Sequence, residues 1–223
     1  MLIQCGPLHD RRIMNFYLPS EPKFVNDKIR NLWLKINKLK QGNRIGCLVS
    51  GGMDSALLYY CLLKENIETG NKFIITPYTI MRKNGSKIYA LPLINYIRSL
   101  FNLEPISLNI IGDVGLNEIQ QVESGIKDVL HVKEDYVYLG IITERPEHSV
   151  GWFRATFKET THRKYPFLNL EKSHIVDLIL QLGLEQIFRL SHTCAIEEIT
   201  PCGNCNGCNE RAWGFRELGL EPL

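Results

Sequence analysis

From about residue 45 onward, the chain alternates between short apolar runs and stretches with apolar residues at helical spacing. The short runs predict buried strands at 45–49, 72–78, 105–111 and 136–143. The helical spacing predicts helices at 55–64, 87–101, 117–131 and 171–182. Pro92 is expected to interrupt the second helix early. Because strands and helices alternate, we expect an α/β fold with an open, doubly wound parallel sheet.

The N-terminal residues follow a different pattern and carry the excess positive charge. Apolar residues at helical spacing predict an amphipathic helix at 26–40 with a basic opposite face. Residues 1–44 hold nine Lys/Arg and three Asp/Glu, whereas the net charge of the whole chain is only +2. Such a patch could attract a polyanion such as RNA, although a solvated helix face is the plainer interpretation. We predict an N-terminal extension at 1–43, an α/β domain at 44–190 and a cysteine-rich segment with a C-terminal helix at 191–223.

The composition limits the class of protein. Hydrophobic residues make up 44% and charged residues 22%, which is ordinary for a globular protein in water. No apolar run is long enough to cross a bilayer, and the N-terminus lacks the basic stretch and apolar core of a secretory signal. We therefore expect a cytoplasmic protein with no membrane partner, in a compartment that keeps thiols reduced.

A short loop, Ser50-Gly51-Gly52-Met53-Asp54-Ser55, joins the first predicted strand to the first predicted helix. Adjacent glycines let backbone N–H groups converge on an anion, and the following helix points its positive end at the same place. Hydroxyl groups of Ser50 and Ser55 can add donors, and Asp54 suits a magnesium ion held against phosphate. The loop lacks the closing lysine of a Walker loop. We predict a phosphate loop at residues 50–55, since a tight turn with glycines for geometry alone explains less of the pattern.

Four of the seven cysteines lie close together near the C-terminus, with the spacing C-x7-C-x2-C-x2-C. They are Cys194, Cys202, Cys205 and Cys208. In a reducing compartment, such clustering indicates metal ligation rather than disulfides. Four thiolates suit a closed, structural zinc site, whereas an iron–sulfur cluster is the chief alternative and a site without metal is the third.

The phosphate loop resembles the fingerprint Ser-Gly-Gly-x-Asp-Ser of the PP-loop ATP pyrophosphatase superfamily. Members cleave ATP between the α and β phosphates, transfer AMP to a substrate oxygen and release pyrophosphate. The resemblance implies that residues 50–55 bind ATP and Mg²⁺ at the carboxyl ends of the strands, where doubly wound sheets place their ligands.

The C-terminal motifs narrow the resemblance to one family, the 7-cyano-7-deazaguanine synthases. The motifs that carry it are Ser191-x-x-Cys194, Cys202-Gly203-x-Cys205-x-x-Cys208, Lys172-Ser173-His174-Ile175 and Arg211-Ala212-Trp213-Gly214-Phe215. The resemblance extends over residues 44–220 in outline and is strongest at 45–55 and 166–220.

This resemblance implies a ligase that uses ATP, Mg²⁺ and a structural Zn²⁺ in 7-deazaguanine and queuosine biosynthesis. The carboxylate of 7-carboxy-7-deazaguanine or a related compound would attack the α-phosphorus. Ammonia would then form an amide, and a second adenylation would yield the nitrile. Ser50, Asp54 and Ser55 would act on pyrophosphate and metal. Lys172 would be a cation near the transferring phosphate, although a surface lysine at a helix start explains it equally well. Relatives often dimerise, so a homodimer stays open.

The chain departs from that family in segments that shape the pocket. Residues 77–82 and 146–152 replace family motifs, and no Pro-Ala-Arg-Asn segment precedes the fourth predicted strand. Further candidates, each also explained by packing or a solvated surface, are Arg82, Trp152, Arg154 and His192. ATP use is therefore better supported than the identity of the substrate.

Two other functions stay open. A PP-loop RNA sulfurtransferase would hold RNA on the basic N-terminal helix and bind an iron–sulfur cluster with three cysteines, but no catalytic cysteine pair is evident. A non-catalytic nucleotide-binding relative would keep the fold without the substrate pocket, which the missing segment supports. Metal analysis distinguishes the first of these from the ligase, and pyrophosphate release distinguishes the second.

Overall fold

The computed structural model describes residues 39–70, 72–80, 87–113, 115–116, 118–143, 158–194 and 200–222. Most of the predicted helix at 26–40 lies outside these ranges, so the extension at 1–43 stays a prediction. Among the described helices, none combines the length and the apolar character that a bilayer span requires.

Five parallel strands form one sheet in the order β3-β2-β1-β4-β5. The strands are β1 (Arg44–Leu48), β2 (Ile74–Ile80), β3 (Asn109–Ile111), β4 (Tyr136–Leu139) and β5 (Arg163–Lys164). The chain first builds outward from β1 to β3 and then returns to the other side of β1 with β4. Such a reversal leaves a crevice at the carboxyl ends of β1 and β4, where open α/β sheets bind ligands.

Helices cover both faces of this sheet, which confirms the predicted doubly wound α/β fold. Those in the described ranges are α1 (Met53–Glu68), α2 (Lys87–Ser99), α3 (Glu118–His131), α4 (Lys172–Gln181), α5 (Gln186–Leu190) and α6 (Asn206–Arg216). Helix α1 packs with α2, α4 and α5, whereas α3 packs on β2, β3 and β4. The predicted interruption at Pro92 is wrong, because α2 is continuous through it. The carbonyl four residues before Pro92 belongs to Ile88 in the first turn, where the helix tolerates the strain.

Two apolar clusters fill the space between the sheet and its helices. Helix α3 approaches β1 closely, since a Cβ added to Gly46 would lie 2.3 Å from Val129 Cγ1. Helix α6 docks beside α4 and α5, where the ring of Phe215 meets Phe188 edge-on at 4.8 Å. Burying a phenylalanine side chain contributes about 2–3 kcal/mol. This contact brings the cysteine-rich segment to the same end of the molecule as the phosphate loop.

Candidate functional site

The phosphate loop turns sharply from β1 into α1 at two glycines. Gly51 has a φ of +91°, which side chains rarely adopt. Gly52 caps α1 in an extended conformation and offers no side-chain hydrogen bond to the first turn. The amides at the positive end of α1 are therefore left for another acceptor, which suits an anion.

The two serines of the loop hold its ends together. The backbone N–H of Ser50 donates to Ser55 Oγ at 3.1 Å, and the two hydroxyl oxygens lie 3.2 Å apart. Ser55 Oγ in turn donates to the carbonyl oxygen of Gly52 at 3.0 Å. Both hydroxyl groups that the sequence predicted as donors thus lie beside the open amides.

The segment before the cysteines supports the loop from the other side. The backbone N–H of His192 donates to the carbonyl oxygen of Gly51 at 2.9 Å. The ring of His192 stacks on Tyr89 of α2, with centroids 4.4 Å apart and planes 8° from parallel. His192 therefore supports the phosphate loop as well as lying beside the cysteines, and nothing in the sequence pattern singled out Tyr89.

A cleft of about 180 Å³ opens at the carboxyl ends of β1 and β4. Its polar side is formed by Ser50, Asp54, Ser55 and Glu210. Its apolar side is formed by Leu48, Ile80, Val122, Leu139, Ile141 and Ile142. A cleft with one charged end and one apolar wall suits a ligand that joins a polyanion to a planar ring.

Lys172 begins α4 and pairs with two carboxylates that line this cleft, Asp54 and Glu210. Its Nζ lies 2.8 and 2.6 Å from the two carboxylate oxygens of Asp54 and 3.2 Å from Glu210 Oε2. The side chain is only 2% exposed, so the alternative of a surface lysine is wrong. Burial acts to lower the pKa of Lys172, but Asp54 and Glu210 raise it above its ordinary value. The ammonium group therefore stays charged.

Glu210 is a site residue that the sequence motifs did not reveal. It lies on α6, and α6 can approach because Gly214 has no side chain: a Cβ there would lie 2.7 Å from Lys172 Cγ. Burial raises the pKa of Asp54, Lys172 opposes that shift, and Glu210 adds to it. Arg211, the next residue along α6, also lowers the pKa of Asp54, so two carboxylates face two cations in this group.

The four cysteines near the C-terminus come together in space. Their Sγ atoms all lie within 4.8 Å of one another, and those of Cys194 and Cys205 are 3.9 Å apart. Tetrahedral zinc with Zn–S bonds of about 2.3 Å requires sulfur atoms about 3.8 Å apart. The donor set and spacing therefore fit one metal ion such as zinc. Four protein ligands would close its coordination, as in structural sites.

Residues 150–219 match the family model described as "Queuosine biosynthesis protein QueC". A 7-cyano-7-deazaguanine synthase from Methanoculleus marisnigri is 25% identical, covering 78% of this chain and 95% of that protein. One from Chromobacterium violaceum is 42% identical over 59 residues. The chain is therefore similar to 7-cyano-7-deazaguanine synthases and, at residues 150–219, to the QueC family model. It spans only about a quarter of the length of the first relatives it matches, 25% for the Chromobacterium protein.

A solved structure of U34-tRNA thiolase NcsA from Methanococcus maripaludis, with its [4Fe-4S] cluster, is also similar. Its TM-score is 0.48 at 16% identity, covering 77% of this chain and 66% of that one. The segment matched by the QueC family model includes Lys172, Glu210 and the four cysteines. Of the other predicted candidates, Arg82, Trp152 and Arg154 lie outside the described residues.

Gly140 lets the end of β4 touch the start of α1. A Cβ at this position would lie 2.8 Å from the backbone carbonyl group of Asp54 and from the backbone nitrogen of Ser55. We expect Gly140→Ala to displace the start of α1 and to weaken ATP binding about tenfold or more, with a loss of about 1–3 kcal/mol in stability. Calorimetric titration with ATP and thermal unfolding measure the two effects.

Gly42→Ala is the matched control for the Gly140 variant. Gly42 has a φ of +84°, but an added methyl group meets nothing within 4 Å. This variant should lose stability through backbone strain without weakening ATP binding. Equal ATP affinities in the two variants would show that close packing at Gly140 has no part in the loop's geometry.

Proposed function

We propose that this chain binds ATP in the cleft between the ends of β1 and β4 and uses it to adenylate a carboxylate. The observation that carries the proposal is that the amide end of α1 lies at the same cleft as Asp54 and Glu210, the two carboxylates that hold the buried Lys172 ammonium. The similarity to 7-cyano-7-deazaguanine synthases supports a carbon–nitrogen ligase acting on 7-carboxy-7-deazaguanine or a related compound.

The phosphate loop would bind the polyphosphate of ATP. The amides at the start of α1 and the hydroxyl groups of Ser50 and Ser55 would donate to the leaving pyrophosphate. Lys172 would stabilise negative charge on the transferring phosphoryl group. The apolar wall of the cleft would exclude water and accept a planar ring.

Asp54 is the residue that would hold Mg²⁺. A bound magnesium ion supplies neutralisation of the phosphate charge. The site fits it, because Asp54 lines the cleft and offers hard carboxylate oxygens. Each oxygen already accepts a hydrogen bond from Lys172 and keeps a lone pair for a second partner.

The four cysteines would hold a zinc ion with a structural purpose. Cys194 follows His192, which bonds the phosphate loop, and Cys208 precedes Glu210, which bonds Lys172. A metal bound by both cysteines would therefore stabilise the two segments that carry His192 and Glu210 beside the cleft. Metal analysis of the purified chain should therefore yield about one zinc per chain; iron would favour the sulfurtransferase alternative.

The proposal is tested by incubating the chain with ATP, magnesium, ammonia and 7-carboxy-7-deazaguanine. We expect AMP and pyrophosphate in equal amounts, together with a product mass that matches the amide or the nitrile. Omitting the carboxylate is the control and should suppress pyrophosphate release. Binding of ATP without pyrophosphate release in the presence of this carboxylate would point to another carboxylate. Binding of ATP without pyrophosphate release with every candidate carboxylate would show a non-catalytic nucleotide-binding protein.

A further inference from the structure

One buried cation beside the cleft has two anionic partners that come from different parts of the fold. Lys172 Nζ lies 2.6 Å from Asp54 Oδ2 and 3.2 Å from Glu210 Oε2. Asp54 belongs to the phosphate loop, whereas Glu210 belongs to α6 in the cysteine-rich segment. Both carboxylates line the cleft. Arg211, next to Glu210, is close enough to Asp54 to lower the pKa of that carboxyl, so two carboxylates and two cations lie together here.

Because Glu210 also pairs with Lys172, Asp54 can contact another cation without leaving Lys172 unpaired. A buried ammonium that loses its carboxylate partner is strongly destabilised, and the side chain of Lys172 is only 2% exposed. With Asp54 as sole partner, any cation that drew Asp54 away would leave Lys172 unpaired. With Glu210 in place, Lys172 keeps one carboxylate. Asp54, whose side chain is 20% exposed, can then face another cation.

The backbone that carries Glu210 is held firmly. The neighbouring residue, Arg211, donates to Ser191 Oγ at 2.9 Å and to the carbonyl oxygen of Phe188. Phe215, one turn further along α6, packs on Phe188. Glu210 is therefore placed by several contacts rather than reaching the cleft as a free surface side chain.

We propose that Glu210 is a positioning residue that keeps the buried Lys172 ammonium paired beside the cleft, so that Asp54 can bind the magnesium ion that accompanies the nucleotide. This inference rests on the proposed ATP site and adds to it a residue outside the phosphate-loop and cysteine motifs. It predicts that Glu210 acts through Lys172 and not directly on the metal.

The test is Glu210→Gln in the full chain, with ATP binding measured by calorimetry over a series of magnesium concentrations. We expect the magnesium concentration for half-maximal ATP affinity to rise about tenfold, because Asp54 is then the only carboxylate left for Lys172. ATP binding without magnesium should change less than about threefold. Glu221→Gln, an equal charge change at an exposed position of the C-terminal tail, should leave both quantities unchanged.

A double-mutant cycle separates positioning from direct metal binding. In a Lys172→Met background, Glu210 has no ammonium to hold, so Glu210→Gln should no longer raise the magnesium concentration that ATP binding requires. A rise that persists in this background overturns the inference, because Glu210 would then act on magnesium itself. Glu210→Asp keeps the charge on a shorter side chain and should give a smaller shift of the same sign. Should Glu210→Gln fail to fold, an unshifted Glu210→Asp would overturn the inference in its place.

Failure of this inference differs from failure of the proposed function. If the unaltered chain binds no ATP in the presence of magnesium, the proposed function is wrong. If the unaltered chain binds ATP and Glu210→Gln has the same magnesium dependence as Glu221→Gln, only the positioning by Glu210 is wrong.

Discussion

Replacing Lys172 by methionine should destabilise the folded chain by about 2–4 kcal/mol and lower pyrophosphate release about a thousandfold. The variant leaves Asp54 and Glu210 facing each other in a partly buried cleft without the cation that pairs them. It also removes the positive charge that would stabilise the transferring phosphoryl group. Chemical denaturation and a pyrophosphate assay measure the two effects.

The stability of this variant should also depend on pH in a definite direction. Burial raises the pKa of Asp54, and Lys172 opposes that shift. The pKa of Asp54 should therefore be higher in the variant than in the unaltered chain. An unfolded aspartate has a pKa of about 3.9. At a pH between the Asp54 pKa of the unfolded chain and that of the folded variant, the folded variant binds a proton that the unfolded chain does not. The stability of the variant therefore rises as the pH falls through this range. The deficit of the variant should therefore be smaller at pH 5 than at pH 8.

Lys127→Met is the matched control, because Lys127 lies exposed on α3 away from the cleft. It should change stability by less than about 0.5 kcal/mol, with no dependence on pH and no loss of pyrophosphate release. If Lys172→Met behaves in the same way, the buried cation neither holds the two carboxylates together nor acts in the reaction.

Replacing Cys205 by serine should remove the bound metal and lower the midpoint of thermal unfolding by about 10 °C or more. Four thiolates closing on one ion, as proposed, would stabilise the segment that carries them. The loss of ordered structure should also disturb the cleft, because α6 carries both Glu210 and Phe215. Metal content, circular dichroism and ATP affinity should therefore fall together.

Asn204→Ser is the control for the cysteine variant. Asn204 is exposed, lies in the same loop and is not a thiol. Its replacement should keep the metal and shift the unfolding midpoint by no more than about 2 °C. Full metal content in Cys205→Ser would contradict a four-cysteine site, and an unchanged ATP affinity would contradict the link between the metal segment and the cleft.

The sheet could be predicted from the sequence because its strands and helices have clear periodicities. The predicted strands at 105–111 and 136–143 are shorter in the structure, Asn109–Ile111 and Tyr136–Leu139. Apolar residues continue past Leu139, but the chain leaves the sheet at Gly140 to pack against the start of α1. Strand β5 was missed because two residues show no period.

The sequence by itself determined the local parts of this protein. Glycines at residues 51 and 52 allow the turn into α1, and closely spaced cysteines can reach a common metal, since both depend on neighbours along the chain. Only the tertiary structure decided which charges meet. Lys172 and Asp54 are 118 positions apart and come into contact because α4 packs on α1, and α6 adds Glu210 by packing on α4. Contacts between charged residues on different helices depend on how those helices pack, and the local periodicity of the sequence does not contain that information.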